Sequence, residues 1–159
     1  MRVIPSWLVI SIIAFAIAFP LSRLSERDRR WFFRLRRPRW LTFEWLIPLI
    51  WIFIFICGIA SASAVWEANP STQKTWILMV FYLILELLIL AYTPVMCKFR
   101  SLTVGTIIGG IGFIWGVFLA VMVWPVSGLG LALLLPYLLW SPVGTYVTWK
   151  MIFLNPDRA

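Results

Sequence analysis

The stretch LLLPYLLWSPVGTYVTWKMIFLN, from Leu133 to Asn155, decides the fold class of the chain. Its only charged side chain is Lys150, and it is about as long as the roughly 20 apolar residues that a helix needs to cross a bilayer. It also contains prolines and several large aromatic side chains. A membrane-spanning helix is therefore predicted, with aromatic side chains that a simple lipid-facing helix does not need.

The composition of the whole chain extends this interpretation. The 159 residues are 62% hydrophobic and include 11 Trp, with a mean hydropathy of +0.94. A soluble domain cannot bury so much apolar side chain, and a membrane β-barrel would alternate polar and apolar residues. We predict an all-α membrane protein, a single domain over residues 1–159 with five transmembrane helices at about 4–24, 45–66, 75–97, 102–124 and 128–153.

The positive charges predict the orientation of these spans. Eight arginines lie between Arg23 and Arg39, within a net charge of +8. This loop is expected on the cytoplasmic side, in contact with anionic membrane lipids, which places the amino terminus outside and the carboxyl terminus in the cytoplasm. Because the arginines follow the first apolar run, that run is a retained helix rather than a signal peptide. No soluble surface is left for nucleic acid.

The residues needed for most enzyme chemistry are missing. The chain has no His, no Cys pair at metal-binding spacing and no glycine-rich phosphate loop. We therefore predict no catalytic residue and no metal site. Cys57 and Cys97 are expected to be reduced and to pack as small apolar residues.

Glycines at four-residue spacing mark the fourth span. Gly105 with Gly109, and Gly112 with Gly116, allow close approach of helix backbones. Packing within the bundle is the preferred interpretation, and a dimer face is the alternative.

Glu86 is the one acid in the middle of a span, and no Lys or Arg lies at a similar depth. Ionisation there is costly, so we expect a neutral carboxyl group that is hydrogen-bonded to a Tyr, Ser or Thr. A ligand contact or proton site and a purely structural bond between helices remain alternatives.

Tryptophans fall into two groups. Five lie near span ends, where interfacial belts place them: Trp7, Trp66, Trp76, Trp124 and Trp149. Three lie deeper and are expected to point into the bundle: Trp51, Trp115 and Trp140. They either fill the core or line a cavity for a flat apolar ligand. Pro48 and Pro136 are expected to bend their helices, which favours a cavity.

Two segments together resemble a known family. Residues 35–67, LRRPRWLTFEWLIPLIWIFIFICGIASASAVWE, resemble the first-loop and second-helix signature of the TspO/MBR family of tryptophan-rich sensory proteins and translocator proteins. The matching positions are Leu35, Arg36, Arg37, Pro38, Trp40, Trp45, Trp51, Gly58, Ala60 and Trp66. The stretch quoted first is similar to the fifth helix of the family, through Leu134, Leu135, Pro136, Tyr137, Leu138, Trp140, Thr145, Tyr146, Leu154 and Asn155.

The resemblance implies a five-helix bundle, usually a homodimer, that binds tetrapyrroles such as protoporphyrin IX or haem in a pocket closed by the first loop. Some members also bind sterols. The contacts of the family fall on Phe32, Trp51, Phe55, Tyr92, Trp140 and Gly144. To these we add Pro38 and Trp40 from the loop signature, Glu86, and Val143 from a loose sterol-contact pattern.

Polar positions of the family are replaced in this chain. Its Pro-Pro-Asn step is Thr42, Phe43 and Glu44, its helix-three Gln and Asn are Leu85 and Ile89, and its helix-five Asn is Thr148.

We therefore expect a receptor or sensor in a bacterial cell membrane that binds a planar tetrapyrrole between Trp51 and Trp140, with first-loop arginines at the propionates. The alternatives are a transporter of porphyrin or of lipid or sterol, an enzyme that degrades porphyrin with light or oxygen, and an assembly factor for another membrane complex.

Overall fold

The computed structural model describes residues 4–21 and 23–158, and this part of the chain is helical, without strands. The α-helices are α1 (Ser6–Leu21), α2 (Glu26–Phe33), α3 (Ile47–Ala68), α4 (Gln73–Phe99), α5 (Leu102–Val123) and α6 (Gly128–Leu154). Short 3-10 turns at Glu44–Leu46 and Pro156–Arg158 precede α3 and follow α6.

Four of the five predicted spans are confirmed by length and composition. Glu44–Ala68, Gln73–Phe99, Leu102–Val123 and Gly128–Leu154 are each long and apolar enough to cross a membrane. The first predicted span, at about 4–24, differs from the structure. Its helix α1 has 16 residues and qualifies as a span only together with α2, and the two helices are bent by 83° relative to each other. The chain is thus an integral, multi-pass membrane protein; its inside–outside orientation stays a prediction from charge.

Polar residues between the apolar runs start the later helices. The side chains of Thr72, Ser101 and Ser127 accept hydrogen bonds from the amides of Thr75, Val104 and Gly130, at 3.2, 3.3 and 3.0 Å. Each cap satisfies an amide that has no partner within its own helix.

The expected bend at Pro48 is wrong. Pro48 lies in the first turn of α3, where the missing N–H has no intrahelical acceptor to lose and the fixed φ angle suits the helix. Pro136, in contrast, lies inside α6 together with Pro142, as Pro94 lies inside α4.

The five long helices form a ring in the order α1, α3, α6, α5, α4, which α1 closes by packing on both α3 and α4. The glycines at four-residue spacing on α5 face inward, as predicted: a Cβ atom at Gly105 would meet Met96, one at Gly109 would meet Thr145, and one at Gly116 would meet the Tyr137 ring. Packing within the bundle therefore accounts for them. Cys57 and Cys97 are buried free thiols.

α2 and residues 34–46 cover one end of the ring, which we call the loop end. Trp31 and Leu35 are buried against residues from the ends of α4, α5 and α6, namely Met96, Cys97, Leu102 and Met151. The arginines around them stay exposed, except for the half-buried Arg37.

Asn155 ties this loop to the end of α6. Its Oδ1 accepts a hydrogen bond from the Arg36 amide at 2.8 Å, and its Nδ2 donates to the Arg36 carbonyl at 2.9 Å and to the Met151 carbonyl at 2.8 Å. One amide side chain thus holds both backbone groups of a loop residue that lies 119 positions away.

We predict that Asn155→Ala frees the loop without unfolding the bundle. Loss of these bonds costs about 1.5 kcal/mol locally, so trypsin should cleave at the exposed loop arginines about tenfold faster. Asn155→Asp keeps the acceptor and should give an intermediate rate. An unchanged cleavage rate in Asn155→Ala would show that the tie does not hold the loop.

Candidate ligand cavity

A cavity with a volume of about 750 Å³ lies within the described part of the bundle. It lies between α1, α3, α4 and α6, in the half of the bundle opposite the loop end, and we call it the large cavity. Its walls are mainly apolar and include five aromatic residues, namely Phe55, Trp66, Trp76, Tyr82 and Tyr137.

Small residues on one face of α3 leave this space open. Ile54, Gly58, Ala62 and Trp66 follow one another at four-residue spacing, which places them on the same side of the helix, and all four line the cavity. A Cβ atom at Gly58 would have no other atom within 4 Å. The lack of a side chain at this position therefore contributes directly to the volume of the cavity.

The large cavity also opens sideways, between α1 and α4. Ile13 and Val80 line it although 50% and 51% of their surface is exposed. Because both residues lie on helices assigned to the membrane, this opening faces the acyl chains of the lipid. A ligand dissolved in the bilayer can enter without crossing water.

Most polar groups on the walls are already paired. The Tyr82 hydroxyl lies 2.5 Å from the Ser61 hydroxyl, and Ser61 donates to the Gly130 carbonyl at 2.6 Å. At the outer edge, Ser6 donates to Glu67 Oε1 at 2.7 Å.

Glu86 is the exception. It lines the cavity, and its Oε1 is buried without a hydrogen-bond partner among the described residues. The prediction that a Tyr, Ser or Thr would bond to it is wrong, because the nearby Tyr82 hydroxyl is engaged by Ser61 on α3.

A second cavity lies towards the loop end and has a volume of only about 30 Å³, enough for about one water molecule. Trp51 and Tyr92 line it, and the Tyr92 hydroxyl is hydrogen-bonded to the Thr148 hydroxyl. Ile89 and Tyr137 line both cavities and thus separate them.

The structure divides the predicted site residues among different places. Phe55 and Glu86 line the large cavity, and Trp51 and Tyr92 line the small one. The remaining six line neither cavity: Phe32, Pro38, Trp40, Trp140, Val143 and Gly144. Their contact with a ligand stays a prediction, and an open slot between Trp51 and Trp140 is not found among the described residues.

The three deep tryptophans do pack against the core, as predicted. Trp115 donates from Nε1 to the Phe81 carbonyl at 3.0 Å, between α4 and α5. Trp140 lies beside Phe43, with ring centroids 6.4 Å apart, and its buried Nε1 has no acceptor among the described residues.

The loop arginines lie far along the bundle from the large cavity. Arg37 forms an ion pair with Glu44 and lies over the Phe32 ring, 5.2 Å from its centroid. None of the loop arginines lines the large cavity, and their contact with the acidic groups of a ligand stays a prediction.

Two tryptophans line the cavity although their sequence positions indicate another role. Trp66 and Trp76 are predicted to belong to the interfacial belt, yet their rings pack edge to face at 4.9 Å on the cavity wall. The four-residue spacing of small residues along α3 is the signal that could have identified this face.

Comparison with known proteins agrees with the fold. The model of the TspO/MBR family matches residues 7–154. The tryptophan-rich protein TspO of Bacillus cereus is 24% identical over 94% of this chain and 97% of its own length. TspO of Chlorobaculum tepidum is 26% identical over 89% and 90%, and protein CrtK of Rhodobacter capsulatus is 24% identical over 80% of both chains. Because the family model matches nearly the whole length, the chain belongs to the TspO/MBR family.

Proposed function

We propose that this membrane protein is a receptor that binds a tetrapyrrole, such as protoporphyrin IX or haem, in the large cavity. The observation that carries the proposal is the volume of about 750 Å³, which lies within the roughly 300–1,000 Å³ typical of small-molecule sites. Aromatic walls suit a flat macrocycle, because rings stack on rings and bury apolar surface. Family membership supports the same ligand class.

The cavity suits the apolar macrocycle of a tetrapyrrole better than its propionate groups. Among the described residues that line it are two acids, Glu67 and Glu86, and no Lys or Arg. Buried propionates would repel them, so the ring enters first, towards Phe55 and Tyr137, and the propionates stay at the sideways opening.

The test is a titration of the purified protein in lipid nanodiscs with protoporphyrin IX, followed by tryptophan fluorescence. Trp66 and Trp76 are on the cavity wall, so binding should quench emission saturably, with one ligand per chain. The control is the same titration of empty nanodiscs mixed with free tryptophan. If the emission of the protein decreased linearly, and as it does in this control, the proposal would be contradicted.

We predict that free protoporphyrin IX binds at least as tightly as haem. The chain has no His, so the residue that most often holds haem iron is not available. Burial of the macrocycle, which both ligands share, then dominates the affinity. The same titration with both ligands checks this, and haem binding more than about tenfold tighter would indicate a strong iron ligand, such as a Met or Tyr side chain.

Transport of the same ligand is a second candidate function. It is favoured by the position of the two cavities, which follow one another along the bundle and are separated by Ile89 and Tyr137. If porphyrin were released faster from proteoliposomes than from protein-free vesicles, the protein would be a carrier. Equal release rates would favour the receptor function instead.

We also propose a bacterial cell membrane as the location, with the carboxyl terminus in the cytoplasm, since the loop end carries most of the arginines. A reporter enzyme that is active only outside the cytoplasm, fused to the carboxyl terminus, should be inactive. An active fusion would reverse the orientation.

A further inference from the structure

We propose that the large cavity also takes a lipophilic amine, a molecule with an apolar body and one ammonium group, and that Glu86 binds the ammonium. This inference rests on the cavity being a ligand site, as proposed above, but not on a tetrapyrrole being its ligand.

One oxygen of the Glu86 carboxyl group, Oε1, has no hydrogen-bond donor among the described residues. Glu86 lies near the middle of α4, and this oxygen is buried. An unsatisfied acceptor in a membrane interior is costly, and acidic side chains at such depth usually face a partner or a pathway. A ligand that brings a donor to this oxygen removes the cost.

The hydroxyl groups of Ser6, Ser61 and Tyr82 already donate to other acceptors. Ser61 uses its hydrogen on the Gly130 carbonyl, so at the 2.5 Å contact it is Tyr82 that donates, to Ser61. Ser6 donates to Glu67. Among the described residues that line the cavity, the acids Glu67 and Glu86 are the ionisable ones of carboxyl type and no Lys or Arg is found, so we expect the cation to come with the ligand.

An ammonium group suits this site better than a hydroxyl group. It donates charge-assisted hydrogen bonds, which are about twice as strong as neutral ones. Its positive charge also balances the negative charge of the Glu86 carboxylate in the complex. The rings of Phe55, Tyr82 and Tyr137 on the same walls also attract a cation through their π faces.

The sideways opening indicates how such a molecule arrives. The exposed lining residues Ile13 and Val80 place the entrance in the acyl-chain region, where an apolar body partitions. The ligand therefore enters from the bilayer. Its apolar part contacts the apolar walls of the cavity, and its ammonium group binds Glu86.

Three matched probes test the inference: 1-pyrenemethylamine, 1-pyrenemethanol and 1-pyrenecarboxylate. They share one flat apolar body, and pyrene accepts energy from tryptophan, so binding is measured by energy transfer in nanodiscs of uncharged phosphatidylcholine. The amine should bind about tenfold or more tightly than the carboxylate, with the alcohol between them. Equal affinities of amine and carboxylate would overturn the inference.

Glu86→Gln identifies the group responsible. It keeps the size of the side chain but cannot ionise to pair with the ammonium group, so the preference for the amine should disappear. Glu26→Gln, at an exposed position of α2, makes the same chemical change away from the cavity and should keep the preference. A preference that persists in Glu86→Gln would assign the effect to the membrane or to another site.

The outcome is separable from that of the proposed function. Loss of protoporphyrin binding alone, with the amine preference intact, would overturn only the tetrapyrrole assignment. Saturable protoporphyrin binding without an amine preference would overturn only the role given to Glu86.

Discussion

Replacement of Gly58 by Phe should abolish ligand binding while the protein stays folded. Gly58 lies on the wall of the large cavity, and a Cβ atom there meets no other atom within 4 Å. The new ring therefore points into empty space and occupies the volume that the ligand needs. Since forcing a ring into filled space costs about 3 kcal/mol, affinity for protoporphyrin IX should fall by about a hundredfold or more.

Two other glycines supply matched controls. Gly110 and Gly144 also have open space around a Cβ atom, but neither lines a cavity. Gly110→Phe should bind the ligand normally. Gly144→Phe distinguishes the two candidate sites, because Gly144 belongs to the site implied by family resemblance: if it lost binding while Gly58→Phe kept it, the ligand would lie near Trp140 instead.

Replacement of Gly116 by Leu should strongly destabilise the bundle. A Cβ atom at Gly116 would lie 2.5 Å from Cε1 of the Tyr137 ring, which is itself buried. The ring cannot move aside without entering the large cavity or displacing α6. We expect a loss of about 3 kcal/mol in the free energy of unfolding, relative to a glycine replaced in open space.

Gly110→Leu is the reference for that comparison. It gains the same helix propensity, about 1 kcal/mol over Gly, but meets no neighbour. The measurement is the thermal midpoint of both variants by tryptophan emission in one detergent. Equal midpoints would mean that α5 and α6 do not pack as closely as the structure has them.

The spans were predictable because lipid imposes a simple rule. Apolar runs of sufficient length become helices whatever their partners, and the four later spans match the helices α3 to α6 to within about two residues. α1 is shorter than expected because Arg23 and the residues after it turn away into α2, whose polar face suits the membrane surface.

The candidate site was harder to predict from the sequence than the spans, for a physical reason. Large aromatic residues such as Trp51 and Trp140 suggest a cavity, but the same residues can equally fill a core. The large cavity depends instead on what is absent: the side chain of Gly58 and the small size of Ala62. Only the relative position of α1, α3 and α4 shows that no other side chain fills the gap.

Glu86 illustrates the same limit. Its depth in the membrane was clear from the sequence, but the pairing of Tyr82 with Ser61, which leaves its carboxyl group without a donor, depends on the register between α3 and α4. Single-sequence patterns do not specify that register.

A structure of the protein with protoporphyrin IX bound would test the position of the ligand most directly. We predict density for the macrocycle between α1, α3 and α4, against Phe55 and Gly58, with its propionates towards the sideways opening beside Ile13 and Val80. Density for the ring between Trp51 and Trp140, with α1 packed tightly against α3 and no space left beside Glu86, would contradict this prediction.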